Sequence, residues 1–587
     1  MTAGAEPSHG GALRLYGNDD LDHLDPSCAS RASATQLIRL FHRQLFTYEP
    51  MADLRQWRAI EPVPDIATAV PSMYNAGVGA SHLTYVVHLR PGVLWDTTPP
   101  RVVTTADVIR GVKRLCNPVS RPAALPYFTS TIRGLAEFCD GYASAFSDTH
   151  PSAALLAEYQ NEHDIPGVFA LDDETLVFEL VRPALDFVNI LALPCASPVP
   201  AEYDDLVPGE ADFPRHVVSN GPYRVSRHVR GREIRLAPNP SWQPDSDPVG
   251  RQHVPEITVT SAAVSRRQVA EAVRAGDADL PWGTRITTDE ADGSPRAEHL
   301  GDVLRSCLAF NVVSPNAGGA LARRDIRMAA CYAIDKAALA KLYASEDSAS
   351  AYRAAHSLIP EGHDAHQELT PFPALNGRGD PERSGQLLAI GGYPRGLTLT
   401  MVYRDSDVDP VVARSCADNL REAGITVRLE GLAPAEYHAM LADPRNARSG
   451  RWDITLLSLV PEWYHQNARV FVQSPLQSGP KRGLGNVGQY HNPRVDQLIQ
   501  RALDMAADPT ESRSAWQEAE RVALDDAALL PLVAETPAAR TLVGDSVRGA
   551  MAIPAWDYTV SLSQLWLADT VPPVGEPVEA VAARMSP

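Results

Sequence analysis

The stretch Thr84-Tyr-Val-Val-His-Leu-Arg-Pro-Gly-Val-Leu-Trp95-Asp96, followed by Thr104-Thr-Ala-Asp107-Val, decides how this chain is read. From Thr84 the residues alternate as in a half-buried strand, Pro91-Gly92 marks a turn, and Trp95 follows. Thr104 then offers an N-cap oxygen, and Asp107, three positions on, the carboxylate that reaches back in a capped helix start. The segment spells strand, turn, helix, and the same grammar recurs along the chain. Leu397–Tyr403, Val411–Ala423 and Ile425–Glu430 read as strand, helix and strand, with Gly424 ending the helix. Asp173 to Leu180 alternates as a strand, and Tyr223–His228 with Glu233–Ala237 reads as a hairpin about Arg230-Gly231. Asn492-Pro493 opens a helix running to about Met505, and Leu529–Val533 is an apolar strand. Alternation of this kind predicts an α/β protein.

At 587 residues the chain exceeds one hydrophobic core, so two or three domains are expected. A hydrophobic content of 44% and a mean hydropathy of −0.19 describe a globular chain with enough apolar surface to fold. The net charge of −19 argues against nucleic acid or an anionic membrane as partner, because both need a cationic footprint. No apolar run approaches the ~20 residues of a membrane helix. Met1 to Gly11 is polar, with neither a basic nor an apolar leader region, so no signal peptide is read in the sequence as written.

Seven cysteines give no dense disulfide framework. Cys116 and Cys139, each beside a loop signal, form either one bridge or two buried thiols; Cys195, Cys307, Cys331 and Cys416 sit in apolar segments as core thiols. Catalytic signatures are missing from the sequence: there is no Gly-x-Ser-x-Gly elbow, Walker A loop or His-Glu-x-x-His. Ser478-Gly-Pro-Lys481 meets the Ser-x-x-Lys count, but Gly-Pro breaks the helix such a motif needs. His23, between Asp22 and Asp25, lacks zinc-like spacing. Neither an enzyme nor a metal or other cofactor is expected.

The opening stretch resembles the signature of the family 5 extracellular solute-binding proteins, the peptide receptors of ABC importers. Their motif runs roughly Tyr-x-Phe-x-Leu-Arg-x-Gly-Val-x-Trp-x-Asp, then Thr-Ala-x-Asp-Val. Here Val87 stands for the Phe, Asp96 follows Trp95 directly, and Thr97-Thr98-Pro99-Pro100 replaces the usual Gly-x-Pro. Other segments fall in the family's order. They are Leu24-Asp25-Pro26, Phe41 to Tyr48 (FHRQLFTY), Ser219-Asn-Gly-Pro-Tyr223, Phe310-Asn311, Asp325-Ile-Arg327, Tyr332-Ala-Ile-Asp335-Lys336, Trp452-Asp453-Ile454, and Asn486 with Tyr490 and Asp496. The resemblance covers about residues 11 to 570. The scarcity of lysine, four in all, fits an actinobacterial member.

The resemblance implies a periplasmic-binding-protein-like type II fold of the bilobal cluster C kind, with an extra inserted lobe. Lobe I would take residues 11–55, 190–302 and 538–571; lobe II, 56–189; lobe III, 303–537. Hinges would lie near 285–303 and 535–545, and residues 1–10 and 572–587 would be tails. The implied function is capture of an oligopeptide, or a related amino-bearing metabolite, in an interlobe cleft by hinge closure, for an ABC permease and its ATPase. Glu462 falls about where relatives place the Asp that pairs with a peptide's α-ammonium, and Trp463 and Tyr464 would wall the pocket. Asn220, Gly221, Trp282 and Arg31 occupy segments that line or flank the cleft in relatives. Arg469 and His465 are expected at the solvated surface, with a ligand carboxylate as the other option. A monomer is expected, extracytoplasmic and lipid-anchored if a leader lies upstream. The alternative is a leaderless intracellular homologue recruited as an enzyme or carrier in a biosynthetic pathway.

Overall fold

The computed structural model describes residues 7–568 except 22, 30, 148–149, 211–212, 289–299, 345–349, 374–377, 407, 480–484 and 539. The tail expected at 572–587, and most of the hinge expected near 285–303, lie outside these residues. Three larger sheets organise the chain; the bodies around them are referred to below as lobes I, II and III.

In lobe I the strand Ala12–Gly17 pairs in parallel with Glu256–Ser261 on one side and Leu280–Trp282 on the other. The hairpin Tyr223–Val229 and Glu233–Pro238 extends the sheet antiparallel from Glu256–Ser261. The end of the chain returns here. Val547, Val560, Leu562 and Leu565 join Leu13, Leu15, Leu37 and Phe41 in one core, and Gln36 donates to the Val560 carbonyl at 2.9 Å.

Lobe II carries the opening stretch. Thr84–His88 pairs antiparallel with Thr175–Glu179, which pairs in turn with Val168–Ala170. Thr104 and Asp107 form the expected reciprocal cap of the helix Thr105–Arg114. The Asp107 carboxylate has further partners: it accepts the Trp95 indole at 3.1 Å and the Arg101 guanidinium at 3.0 and 3.1 Å. One buried acid therefore fixes the helix start, the Trp and the strand after the turn, which gives the Trp–Asp spacing a physical reason. Cys116 and Cys139 are joined, their Cα atoms 4.8 Å apart, tying the end of that helix to Leu135–Ala145. The other five cysteines are buried free thiols, Cys28 included.

Lobe III is a six-stranded mixed sheet ordered Ala351–Ala354, Leu529–Thr536, Val303–Phe310, Ile454–Leu459, Leu397–Arg404 and Ile425–Leu432. The expected strand–helix–strand unit is present with its helix over Asp409–Glu422, and Gly424 takes a left-handed φ of +93° where the chain reverses. Asn492 caps Pro493–Asp504 by accepting the Arg494 amide at 3.0 Å. The apolar core of lobe II runs on into the lobe III helices that carry Phe471, Ile499 and Trp516, so the two lobes meet without an intervening water layer. No helix among the described residues is long and apolar enough to cross a membrane.

Candidate functional site

The strand Ile454–Leu459 ends in the loop that carries Glu462. Glu462 is only partly exposed, and desolvation pushes its carboxyl up to about 7, against the pull of a hydrogen bond from the Tyr127 hydroxyl. Tyr127 belongs to the lobe II helix Leu125–Thr129, so this contact crosses from lobe to lobe. Burial and the Glu462 charge both push the Tyr127 hydroxyl well above its ordinary range. The same charge reaches Tyr48 and Cys195. Tyr48 donates to Asn189 Oδ1 at 2.8 Å. Beyond them Arg39 lies 4.2 Å over the Trp556 ring; its Nη1 donates to the Thr35 carbonyl at 3.2 Å, its Nε has no partner, and burial lowers it to about 9. Glu462 on lobe III and the buried cation Arg39 on lobe I thus share Tyr48 and Cys195 as electrostatic neighbours. The chemistry of this arrangement suits a ligand that carries an ammonium, which would replace the Tyr127 hydroxyl on Glu462.

Trp463 is fully buried behind Tyr127, ring centroids 5.1 Å apart and edge to face, and its indole nitrogen has no hydrogen-bond partner. Tyr464 points the other way. Its hydroxyl donates to the Tyr558 hydroxyl at 3.2 Å and its ring stacks on His363, so it joins lobe III to the C-terminal return. Asn220 and Gly221 form a turn locked onto the end of the first helix, Ala32–Phe41. Both amides donate to the Phe41 carbonyl, and Asn220 Oδ1 accepts the Arg43 amide at 2.8 Å. A Cβ on Gly221 would lie 2.4 Å from the Leu40 carbonyl oxygen, which explains the glycine. The turn also meets the opening stretch, because the Ser219 amide donates to Asp96 Oδ1 at 2.6 Å.

Trp282 is a core side chain whose indole donates to the Asp19 carbonyl at 2.9 Å. Arg31 ion-pairs with the Asp19 carboxylate and donates to the Asp20 carbonyl. Asp19 therefore gathers these two candidates at a node separate from Glu462, and Arg31 there faces Arg404 of lobe III, which with burial lowers it to about 10. Arg469 corrects its expectation: it is buried, in an ion pair with Asp186, because a carboxylate from a distant segment meets it across the lobe boundary. His465 is exposed, as expected.

The residues missing from the sequence reading are Tyr127, Arg39 and Asn189, which carried no local signal; Tyr48 fell inside the quoted FHRQLFTY segment without a role. A cavity of about 530 Å³ lies along the hairpin of lobe I beside His23, Phe213, Arg227 and His228, and none of the candidate residues lines it. Ser478, His491 and Asp496 also cluster, but Asp496 accepts the Ser478 hydroxyl directly at 2.5 Å, so no base stands between acid and serine as a nucleophilic relay requires.

Residues 61–473 match the model of the bacterial extracellular solute-binding proteins, family 5. Among curated relatives, the chain is 23% identical over 487 residues to di/tripeptide-binding protein 4 of Pseudomonas aeruginosa, covering 80% of this chain and 82% of the relative. It is 25% identical over 438 residues to protein XP55 of Streptomyces lividans, covering 69% and 73%. Among solved structures it is similar to clavulanic acid biosynthesis oligopeptide binding protein 2, with a TM-score of 0.71, 23% identity and 96% of each chain covered. The murein tripeptide binding protein MppA of Escherichia coli gives a TM-score of 0.74 at 19% identity, covering 96% of this chain and 100% of that one. These likenesses show the bilobal type II fold.

Proposed function

Because the chain belongs to the family 5 bacterial extracellular solute-binding proteins, we propose that it captures an oligopeptide, or a related amino-bearing ligand, between lobes I and III and presents it to an ABC permease and its ATPase. Glu462 anchors the ligand's ammonium. The anchor rests on the place of Glu462, a half-buried carboxylate on the loop that ends the strand Ile454–Leu459, its carboxyl raised by desolvation, with the Tyr127 hydroxyl near it. Extended main chain then pairs with the cleft walls while the side chains occupy looser space. Hinge closure removes the ligand from water, and the partner ATPase supplies the energy of transport. The protein acts as a monomeric extracytoplasmic receptor, without catalysis. The names of the di/tripeptide-binding and murein tripeptide binding relatives agree in kind, although another relative, from Escherichia coli, is named for deoxycholate.

The test is thermal unfolding of the purified protein with di- to pentapeptides, each free and N-acetylated. A peptide at about 100 times its dissociation constant adds about 2.7 kcal/mol to stability if it binds only the folded state. Upward shifts with free peptides and none with acetylated ones are expected. Equal shifts with both would remove Glu462 as the anchor, and no shift with any peptide would remove the peptide reading itself.

A further inference from the structure

The chain never passes directly between lobes II and III. Lobe II is entered from and left to lobe I, and so is lobe III, so every contact between II and III is noncovalent. At the centre of that contact is Arg469, the second residue of the lobe III helix Ala468–Leu476, whose side chain is 3% exposed. Its Nη1 donates to both Asp186 oxygens at 3.1 and 3.0 Å. Its Nη2 donates to Ser130 Oγ at 2.8 Å and, at 3.4 Å, to the Tyr127 carbonyl and Thr131 Oγ1. Its Nε donates to Gln473 Oε1 at 3.0 Å, and Gln473 reaches Ser130 at 3.2 Å. Every acceptor but Gln473 comes from lobe II. The rim adds a weaker pair, Arg182 with Asp504 at 3.2 Å, the acid half exposed.

A buried ion pair gains little over an apolar contact when it sits inside one rigid body, because desolvation offsets the attraction. Between bodies that separate, the balance differs: in the open form both charges regain water, and in the closed form the several acceptors around the one guanidinium fix one register. The pair is also joined to the ligand anchor. The Tyr127 ring lies 5.4 Å from the Arg469 guanidinium, its carbonyl accepts from Arg469, and its hydroxyl is near enough to Glu462 to pull that carboxyl down against burial.

We propose that Arg469 and Asp186 form the latch that closes lobe III onto lobe II. Closure then involves lobe II as a working jaw and not only lobes I and III. Opening the latch moves lobe III, with Glu462, away from the lobe II helix that carries Tyr127, so a ligand enclosed between them and the latch stabilise the same closed state.

The test uses the full chain with spin labels at Leu171→Cys in lobe II and Ile390→Cys in lobe III, both exposed sites. Arg469→Gln and Asp186→Asn are expected to move the distance distribution of unliganded protein to longer values, and Arg469→Lys to move it less. The double variant is expected to move it no further than the larger single change, as one shared contact requires. With a bound free peptide, Arg469→Gln is expected to dissociate at least tenfold faster. This second arm rests on the proposed peptide function; the distance arm does not, so a failure of that function leaves the latch testable. Variants that lose melting temperature while keeping the wild-type distances and dissociation rate would overturn the latch and leave a structural pair. Should Arg469→Gln fail to fold, Arg469→Lys and Asp186→Asn carry the same comparison.

Discussion

The proposed anchoring of an amine on Glu462 requires that binding release a proton below neutral pH. The unliganded carboxyl titrates at about 7, so at pH 6 about 0.9 of the molecules carry its proton and at pH 8 about 0.1. An ammonium needs the ionised form, while a peptide α-amine itself loses its proton at about 7.7–8.0. Multiplying the two fractions gives a bell-shaped affinity with its maximum near pH 7.4, by order of magnitude. From there to pH 5.5 affinity should fall about 15-fold, which is about 1.6 kcal/mol. Isothermal titration calorimetry of one free peptide, run at pH 6 in buffers of different ionisation enthalpy, should find about 0.9 proton released per peptide bound. Glu462→Gln should abolish both the release and the acid limb, leaving only the decline above pH 8. Flat affinity between pH 5.5 and 7, or the same proton release in Glu462→Gln, would refute the anchor.

Three further outcomes follow from the same contacts. Because the folded Glu462 titrates above its unfolded value, its ionisation opposes folding: stability is fully present below about pH 4.5 and is lost as pH rises through 7. Glu462→Gln should therefore be more stable than wild type at pH 8, by up to about 3 kcal/mol, and no more stable at pH 4; urea melts at both values check this. Glu535 has the opposite sign. Burial would raise it, but Arg305 and Arg285 outweigh burial and hold it at about 2, so its contribution is present above pH 4.5 and lost as pH falls toward 2. Glu535→Gln should destabilise at pH 7 by an amount on the order of 3 kcal/mol and progressively less on acidification, read by the same melts. Replacing Cys116 and Cys139 by Ala opens a crosslink spanning 23 positions and should cost about 3 kcal/mol on the chain-entropy estimate, seen as a lower melting temperature than that of the oxidised protein.

What the sequence disclosed was whatever is decided locally. The strand from Thr84, the Thr104–Asp107 cap and the Asn492 cap depend on neighbours within a few positions, and all three stand as read. Glu462 was singled out by the family resemblance, which puts an acid after the strand Ile454–Leu459, not by any property of its own neighbourhood. Its surroundings come from far away: Tyr127 and Tyr48 arrive from other lobes, and pattern reading has no access to such meetings. Arg469 shows the same limit from the other side. An arginine at a helix start is ordinarily solvated, but Asp186, 283 positions earlier, meets it across a lobe boundary and buries it. Trp282 was expected at the cleft from the segment it occupies in relatives, and Tyr464 as a pocket wall, yet each has a polar tip committed elsewhere, to Asp19 and Tyr558.

The central claim is that a ligand ammonium takes the place of the Tyr127 hydroxyl on Glu462. A crystal structure of the protein with a bound free tripeptide tests it most directly. The account requires the peptide's terminal nitrogen at about 2.8 Å from a Glu462 carboxylate oxygen, with the Tyr127 hydroxyl turned to a new partner and Arg469 still on Asp186. A peptide whose amine lies away from Glu462, with Tyr127 still donating to that carboxylate, would contradict it.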